Sequence, residues 1–389
     1  MILKKPNIYN SEIVKLHEKN NGLLEMEPKF KVKNKFDLGK AYTPGVATIS
    51  KVIKKYPTLK NRLTLSGKLV AVITDGSAIL GLGNVGTKAG LPIVEGKALL
   101  YKELGDINAL PLTLRQVNVD DFVNSIKNIS SSFAGIHLED IAAPRCFAIE
   151  EKLNQELDIP VYHDDQEGTA IVVLAGLINA AKVVGKKLQN LKVVINGIGA
   201  SGQATAQLLK NIGITNITLV DKKGVIKPTS NNYNRYQTGL AKQIGFKTKG
   251  ETLDDVIGGK DVFIGLSVSD ILSGQQVAKM ASKPIVFALA NPKPEIDPKT
   301  AQLFGASIVA TGSSQYNNQI NNILVFPGLF RGLLKSGLKN LDFPVQRIAA
   351  QALANMISYP TAKKIIPGVF DSGVVSTIAD SILNFIKRF

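Results

Sequence analysis

Two groups of acidic residues are spaced for metal chemistry. The first is Glu139-Asp140, preceded by His137-Leu138. The second, 25 residues on, is Asp164-Asp165 within Tyr162-His163-Asp164-Asp165-Gln166-Glu167-Gly168. Each acidic pair follows a strand-like run, and the C-termini of parallel strands line a ligand crevice. Three or four carboxylates converging there repel one another unless a cation lies between them. An all-oxygen donor set suits Mg²⁺ or Mn²⁺. Helix capping is the plainer use of the same residues. His137 and His163 have no second soft ligand type nearby, so they read as structural or supporting groups and not as zinc ligands.

A second constellation has the spacing of a dinucleotide-binding loop. The apolar run Lys192-Val193-Val194-Ile195-Asn196 leads into Gly197-Ile198-Gly199-Ala200-Ser201-Gly202, and a helical pattern follows at once. The first glycine permits a tight turn, the second lets a pyrophosphate approach the backbone, and the third lets helix and strand pack closely. The phosphates then face the positive end of the helix. The next strand-like run ends at Asp221, 19 residues past Gly202. That is close to the offset expected for a carboxylate on the adenosine ribose. Asp221 favours NAD, while Lys222 and Lys223 beside it leave NADP open.

Two further segments present single reactive groups. Six glycines lie between Val72 and Lys97, a density that presses backbone against a ligand or another chain. Ala41-Tyr42-Thr43-Pro44-Gly45 is a rigid turn carrying one phenol.

The elements that must position these residues alternate along the chain. Strands are expected at 69–73, 133–138, 159–162, 192–196, 216–220, 262–266 and 284–290. Helices are expected at 91–104, 144–157, 169–184 and 203–211. Such alternation marks an α/β fold with parallel sheet. The segment from 344 to the C-terminus is helical in pattern, broken at Pro360 and Pro367. The 389 residues suit two domains, with 44% apolar and 20% charged residues. The most apolar stretch, from Ala170, is interrupted by Gly176, Asn179 and Lys182, so a buried helix is expected and no membrane span. One cysteine, Cys146, excludes an intramolecular disulfide framework. With no secretory leader pattern, the location expected is the cytoplasm. The net charge of +16 hints at anionic partners. The lysines are scattered, however, with no aromatic-interleaved basic tract and no Trp, which speaks against nucleic acid.

Taken together the sequence resembles the malic enzymes, of the short bacterial type. The resemblance is carried by AYTPGVA (41–47), TDGSAILGLGNVG (74–86), LPIVEGKA (91–98), LEDIAAPRCF (138–147), IPVYHDDQEGTA (159–170), GIGASG (197–202), VFALANPKPEI (286–296) and NQINNILVFPGLFRG (318–332). It implies oxidative decarboxylation of L-malate to pyruvate and CO₂ with reduction of NAD(P)⁺, by way of metal-bound oxaloacetate and enolpyruvate. An oxaloacetate decarboxylase without net redox would use the same residues. By this resemblance Glu139, Asp140 and Asp165 hold the metal. Lys97 is the general base, Tyr42 the general acid, and Asp164 the charge partner of Lys97. Asn291 and Asn322 contact substrate and the nicotinamide side of the cofactor. A free lysine titrates near 10.4, so burial or a nearby cation must lower Lys97 for that role.

The chain departs from the family pattern at two places. Glu167 stands where a second histidine is usual. Ser313, Gln315 and Asn317 stand where an arginine, an aspartate and a proline are usual, which loosens that loop. The architecture implied is an N-terminal α/β malic-type domain over 1–160. A Rossmann-like dinucleotide-binding domain with a helical tail follows over 161–389, and the active site lies between them. A homodimer is implied, and whether Tyr42 or Lys97 acts across its boundary is left open.

Overall fold

In the computed structural model, residues 11–79, 81–245 and 248–387 are described. The alternation of strand and helix produces two sheets. The first has the order β2-β1-β3-β4, formed by β1 (Leu69–Thr74), β2 (Asn108–Thr113), β3 (Gly135–Leu138) and β4 (Val161–His163), all parallel. The edge strand β2 was not foreseen, because Pro111 sits in its middle. An edge position tolerates proline, which has no N–H to give to a further strand.

The second sheet comprises β5 (Lys192–Asn196), β6 (Asn216–Asp221), β7 (Gly224–Val225), β8 (Val262–Gly265), β9 (Ile285–Ala288) and β10 (Ile308–Thr311). Its order is β10-β9-β8-β5-β6-β7, parallel except for β7, which folds back on β6. The strand order reverses direction at β5, and this is where the crevice of a doubly wound sheet opens. The first sheet includes β4, so the chain leaves that sheet after His163.

Strand alternation divides the core. Ala71, Ile73, Ile136, Leu138 and Val161 face one side of the first sheet, under helices Val119–Ser130 and Arg145–Glu156. Val70, Val72 and Tyr162 face the other side, and their core runs without a break into that of the second sheet. Helix Thr169–Val184 lies along this junction. Together with the preceding turn, as Asp164–Val184, it is long and apolar enough to cross a membrane by length and composition, but 78% of its most apolar window is buried inside the protein. Helix Phe326–Ser336, which follows the second sheet, returns to the first. Its Phe330 fills the space that a Cβ on Gly135 would occupy. The C-terminal segment is helical over Phe343–Asn355 and Val374–Ile386, with an irregular stretch between that buries Ile365 and Ile366.

Residues 11–65 are built differently. Helices Glu12–Asn20, Lys35–Ala41 and Gly45–Lys55 contain no buried residue. Phe30, Phe36, Leu38, Tyr42, Val46 and Ile49 are all exposed there. Among the described residues, two hydrogen bonds link this segment to distant parts of the chain. The Leu23 N–H donates to the Glu95 carboxylate, and the Lys60 ammonium donates to Ser131 O at 2.7 Å.

Candidate active site

The acidic residues meet at the C-terminal ends of β3 and β4. These strands pair in register, His137 opposite Tyr162 and Leu138 opposite His163. Side chains two apart on a strand share a face, so His137 and Glu139 project together, as do Tyr162 and Asp164. Carboxylate oxygens of Glu139, Asp140 and Asp165 lie within 4.8 Å of one another. The Asp140 N–H donates to Asp165 Oδ2 at 3.0 Å, and Asp140 O accepts from the Ala78 N–H. Asp140 takes a left-handed backbone conformation, φ 52°, which aspartate tolerates better than most side chains.

Lys97 enters from helix Gly86–Gly105. Its ammonium donates to Asp164 Oδ2, lies 3.3 Å from Glu139 Oε1 and 3.4 Å from Asn322 Oδ1, and stands 4.8 Å over the Phe326 ring. Asp164 accepts a second hydrogen bond, from the Tyr162 hydroxyl. Burial alone would lower the Lys97 pKa, but Asp164 and then Glu139 outweigh it and hold the ammonium above its ordinary range. The expectation of a lowered lysine is therefore not met by the chain's own groups. The same ion pair keeps Asp164 low against burial.

The other carboxyls move the opposite way. Burial, aided for Asp140 and Asp165 by the nearby Glu139 charge, pushes Glu139 up to about 7, Asp140 to about 9 and Asp165 to about 6. Three carboxyls that resist ionisation side by side are under-compensated for charge. The buried His163 beside them has no hydrogen-bond partner on either ring nitrogen, and its Nε2 lies 3.7 Å from Asp165 Oδ2. An all-oxygen set with this deficit fits a hard divalent cation.

Several supporting groups escaped the sequence reading. The Asp75 carboxylate pairs with Arg145 and accepts from the Ser77 N–H at 3.0 Å, while Ser77 Oγ accepts from the Ala142 N–H at 2.8 Å. These contacts tie the glycine-rich turn to the loop bearing Glu139 and Asp140. Beneath the second acidic loop, the Glu167 and Glu150 carboxyls lie side by side. Gln166 donates to Glu150, and the His163 N–H donates to Glu167 Oε2 at 3.0 Å. Burial, then the charge of Glu167, raises Glu150 far above the usual carboxylate range. Glu167 is thus half-buried against the buried Glu150.

The dinucleotide loop joins β5 to helix Ala200–Asn211. Gly197 has φ 99°, and a Cβ there would meet Leu266 O at 2.5 Å. A Cβ on Gly202 would fall 1.9 Å from Gly197 O. Asp221 ends β6, and its carboxylate accepts from the Ile198 N–H at 2.8 Å and the Lys222 N–H at 2.6 Å. A cavity of about 620 Å³ opens over this loop, lined by Gly197, Gly199, Asp221, Lys222 and Ser267 among others. Ala200 and Ser201 open the helix at its edge. Asn291 follows β9, and its amide lies against the Gly312 backbone. Tyr42 stays outside the cluster. Its side chain is 67% exposed, and among the described residues its hydroxyl has no hydrogen-bond partner.

Comparison with known proteins agrees over nearly the whole chain. The family model described as "Malic enzyme, NAD binding domain" matches residues 166–384. That described as "Malic enzyme, N-terminal domain" matches 21–118 and 114–154. The chain is 44% identical to a bifunctional malic/malolactic enzyme of Bacillus subtilis, over 95% of this chain and 91% of that one. It is 45% identical to an NAD-dependent malic enzyme of Geobacillus stearothermophilus, over 94% and 77%. Among solved structures, the NAD-dependent malic enzyme of Thermotoga maritima superposes with a TM-score of 0.92 at 38% identity. The match covers 96% of this chain and 99% of that one.

Proposed function

This chain belongs to the malic enzyme family, and we propose on that premise that it oxidises and decarboxylates L-malate to pyruvate and CO₂. The observation that carries the reading is the junction of Lys97, Glu139, Asp140, Asp164 and Asp165 at the ends of two neighbouring strands. Glu139, Asp140 and Asp165 would hold Mg²⁺ or Mn²⁺. Such a cation supplies Lewis acidity at the C2 oxygen and positive charge that offsets the pull of Glu139 and Asp165 on Lys97. A nicotinamide dinucleotide held over the loop 197–202 would supply the acceptor for the C2 hydride.

The chain's own groups move the protons. Lys97 takes the proton of the C2 hydroxyl as the carbonyl forms. Asp164 and Asn322 hold its Nζ in place. Breaking the C3–C4 bond releases CO₂ and sends the bonding pair towards the C2 oxygen, leaving C3 in need of a proton. Tyr42 gives that proton, and Lys97 returns the one it took. Asn291 and Asn322 would contact substrate and the nicotinamide side of the cofactor.

Asp221 supports NAD over NADP, because a 2′-phosphate would meet its carboxylate. Gly199 supports close approach of the pyrophosphate, since a Cβ there would point into open space. The chain divides functionally near residue 160, into a substrate half and a dinucleotide half. The exposed Tyr42 and the uncovered apolar helices around it support a homodimer in which one protomer's Tyr42 completes its partner's site.

Steady-state assays test the reading. NADH should form from malate only with Mn²⁺ or Mg²⁺ present, with NAD⁺ preferred to NADP⁺. Activity confined to added oxaloacetate would identify a decarboxylase without net redox instead.

A further inference from the structure

His137 is wholly buried, ringed by Tyr101, Tyr162, Phe326 and Phe330 with centroids 5.2–6.3 Å away. An imidazole in an aromatic box is costly unless both nitrogens are satisfied. Both are: Nδ1 lies 2.8 Å from the Tyr101 hydroxyl and Nε2 lies 2.6 Å from Glu139 Oε2. His163, one strand away and equally buried, has neither contact.

The imidazole therefore bridges the Tyr101 hydroxyl and one Glu139 oxygen. Lys97 lies 3.3 Å from the other Glu139 oxygen.

We propose that His137 is a positioning residue that fixes one oxygen of Glu139 and thereby turns the other, Oε1, towards Lys97 and the acidic cluster, with Tyr101 holding the ring from its other nitrogen. The proposal rests on the reading of Glu139 as a metal ligand. A glutamate has three rotatable side-chain bonds. Anchoring one oxygen removes most of that freedom before the cation arrives. Supporting partners of this kind change metal affinity by about 10–100-fold.

The proposal is tested by Mn²⁺ affinity, read by EPR in the wild type and its variants. His137→Phe should weaken it about 10–100-fold, and His137→Gln, whose amide can still donate to Glu139, should recover part of the loss. Tyr101→Phe keeps the box packed but releases the far side of the ring, with a smaller loss of affinity. This variant decides the matter if His137→Phe does not fold. Wild-type Mn²⁺ affinity retained in His137→Phe or Tyr101→Phe overturns the role of His137 and leaves the metal reading standing. No Mn²⁺ binding by the wild type overturns the metal reading itself.

Discussion

At the scale of residues, charge is the controlling quantity. Glu139, Asp140 and Asp165 are held together at a cost in ionisation, and Lys97 alone does not balance them. Removing Asp165 should therefore disable more than the redox step. Asp165→Ala is expected to abolish decarboxylation even when oxaloacetate is supplied directly, as followed by CO₂ release. Undiminished metal-dependent turnover of oxaloacetate would remove Asp165 from the ligand set. The raised carboxyls also predict a pH dependence. Between the ordinary carboxyl range near 4 and their folded values of about 6 to 9, these groups bind more protons folded than unfolded. The metal-free chain should thus lose stability as pH rises through that window. Mg²⁺ competes with the same protons, so its affinity and its stabilising effect should both grow as pH rises. Thermal unfolding with and without Mg²⁺ at about pH 6 and about pH 8.5 checks both signs.

At the scale of elements, short strands do the positioning. β3 and β4 are four and three residues long, yet their register places His137 against Tyr162 and presents Glu139 beside Asp164. The acidic segments were legible because each directly follows an apolar run. Their supports were less legible. The period-two spacing of His137 to Glu139 and of Tyr162 to Asp164 was available as a signal, but the partners Tyr101, Phe326 and Phe330 come from helices distant in sequence. Helix Phe326–Ser336 is the clearest case. It follows the second sheet in sequence and packs against the first. Phe330→Ala should cost about 3–5 kcal/mol in urea unfolding, as a fully buried aromatic ring. It should also lower activity in the folded enzyme, because the ring helps enclose His137. A near-neutral result would mean that this helix does not brace the first sheet.

At the scale of the whole molecule, residues 11–65 stand apart. Their helices bury nothing within the chain and expose a run of apolar side chains. Fifteen of the 47 Lys and Arg, against five of the 31 Asp and Glu, fall in the first 68 residues. The charge excess is therefore concentrated away from the acidic site, and it bears on this segment more than on the chemistry. If Tyr42 serves a neighbouring protomer, two inactive variants should rescue each other. Mixing Tyr42→Phe with Lys97→Ala under exchanging conditions should restore up to about a quarter of wild-type activity, since about half of random dimers are mixed and each holds one intact site. Activity that stays at the level of the separate variants would place Tyr42 and Lys97 of one site in the same protomer.

The sequence by itself determined the α/β class, the dinucleotide loop and the acidic segments. These depend on local patterns: apolar periodicity, glycines at a turn, and acids directly after strands. Helix Thr169–Val184 and strand β5 lie where periodicity alone places them. Tertiary structure alone decided which groups surround Lys97, that its charge is stabilised by Asp164 and Glu139, and that Tyr42 stands outside the cluster. It also decided that a helix following the second sheet completes the core of the first. The physical reason is that electrostatics and packing depend on distance in space. Residues 97, 139, 164 and 322 approach within hydrogen-bond or ion-pair reach only after two sheets have been assembled and a later helix has closed over them.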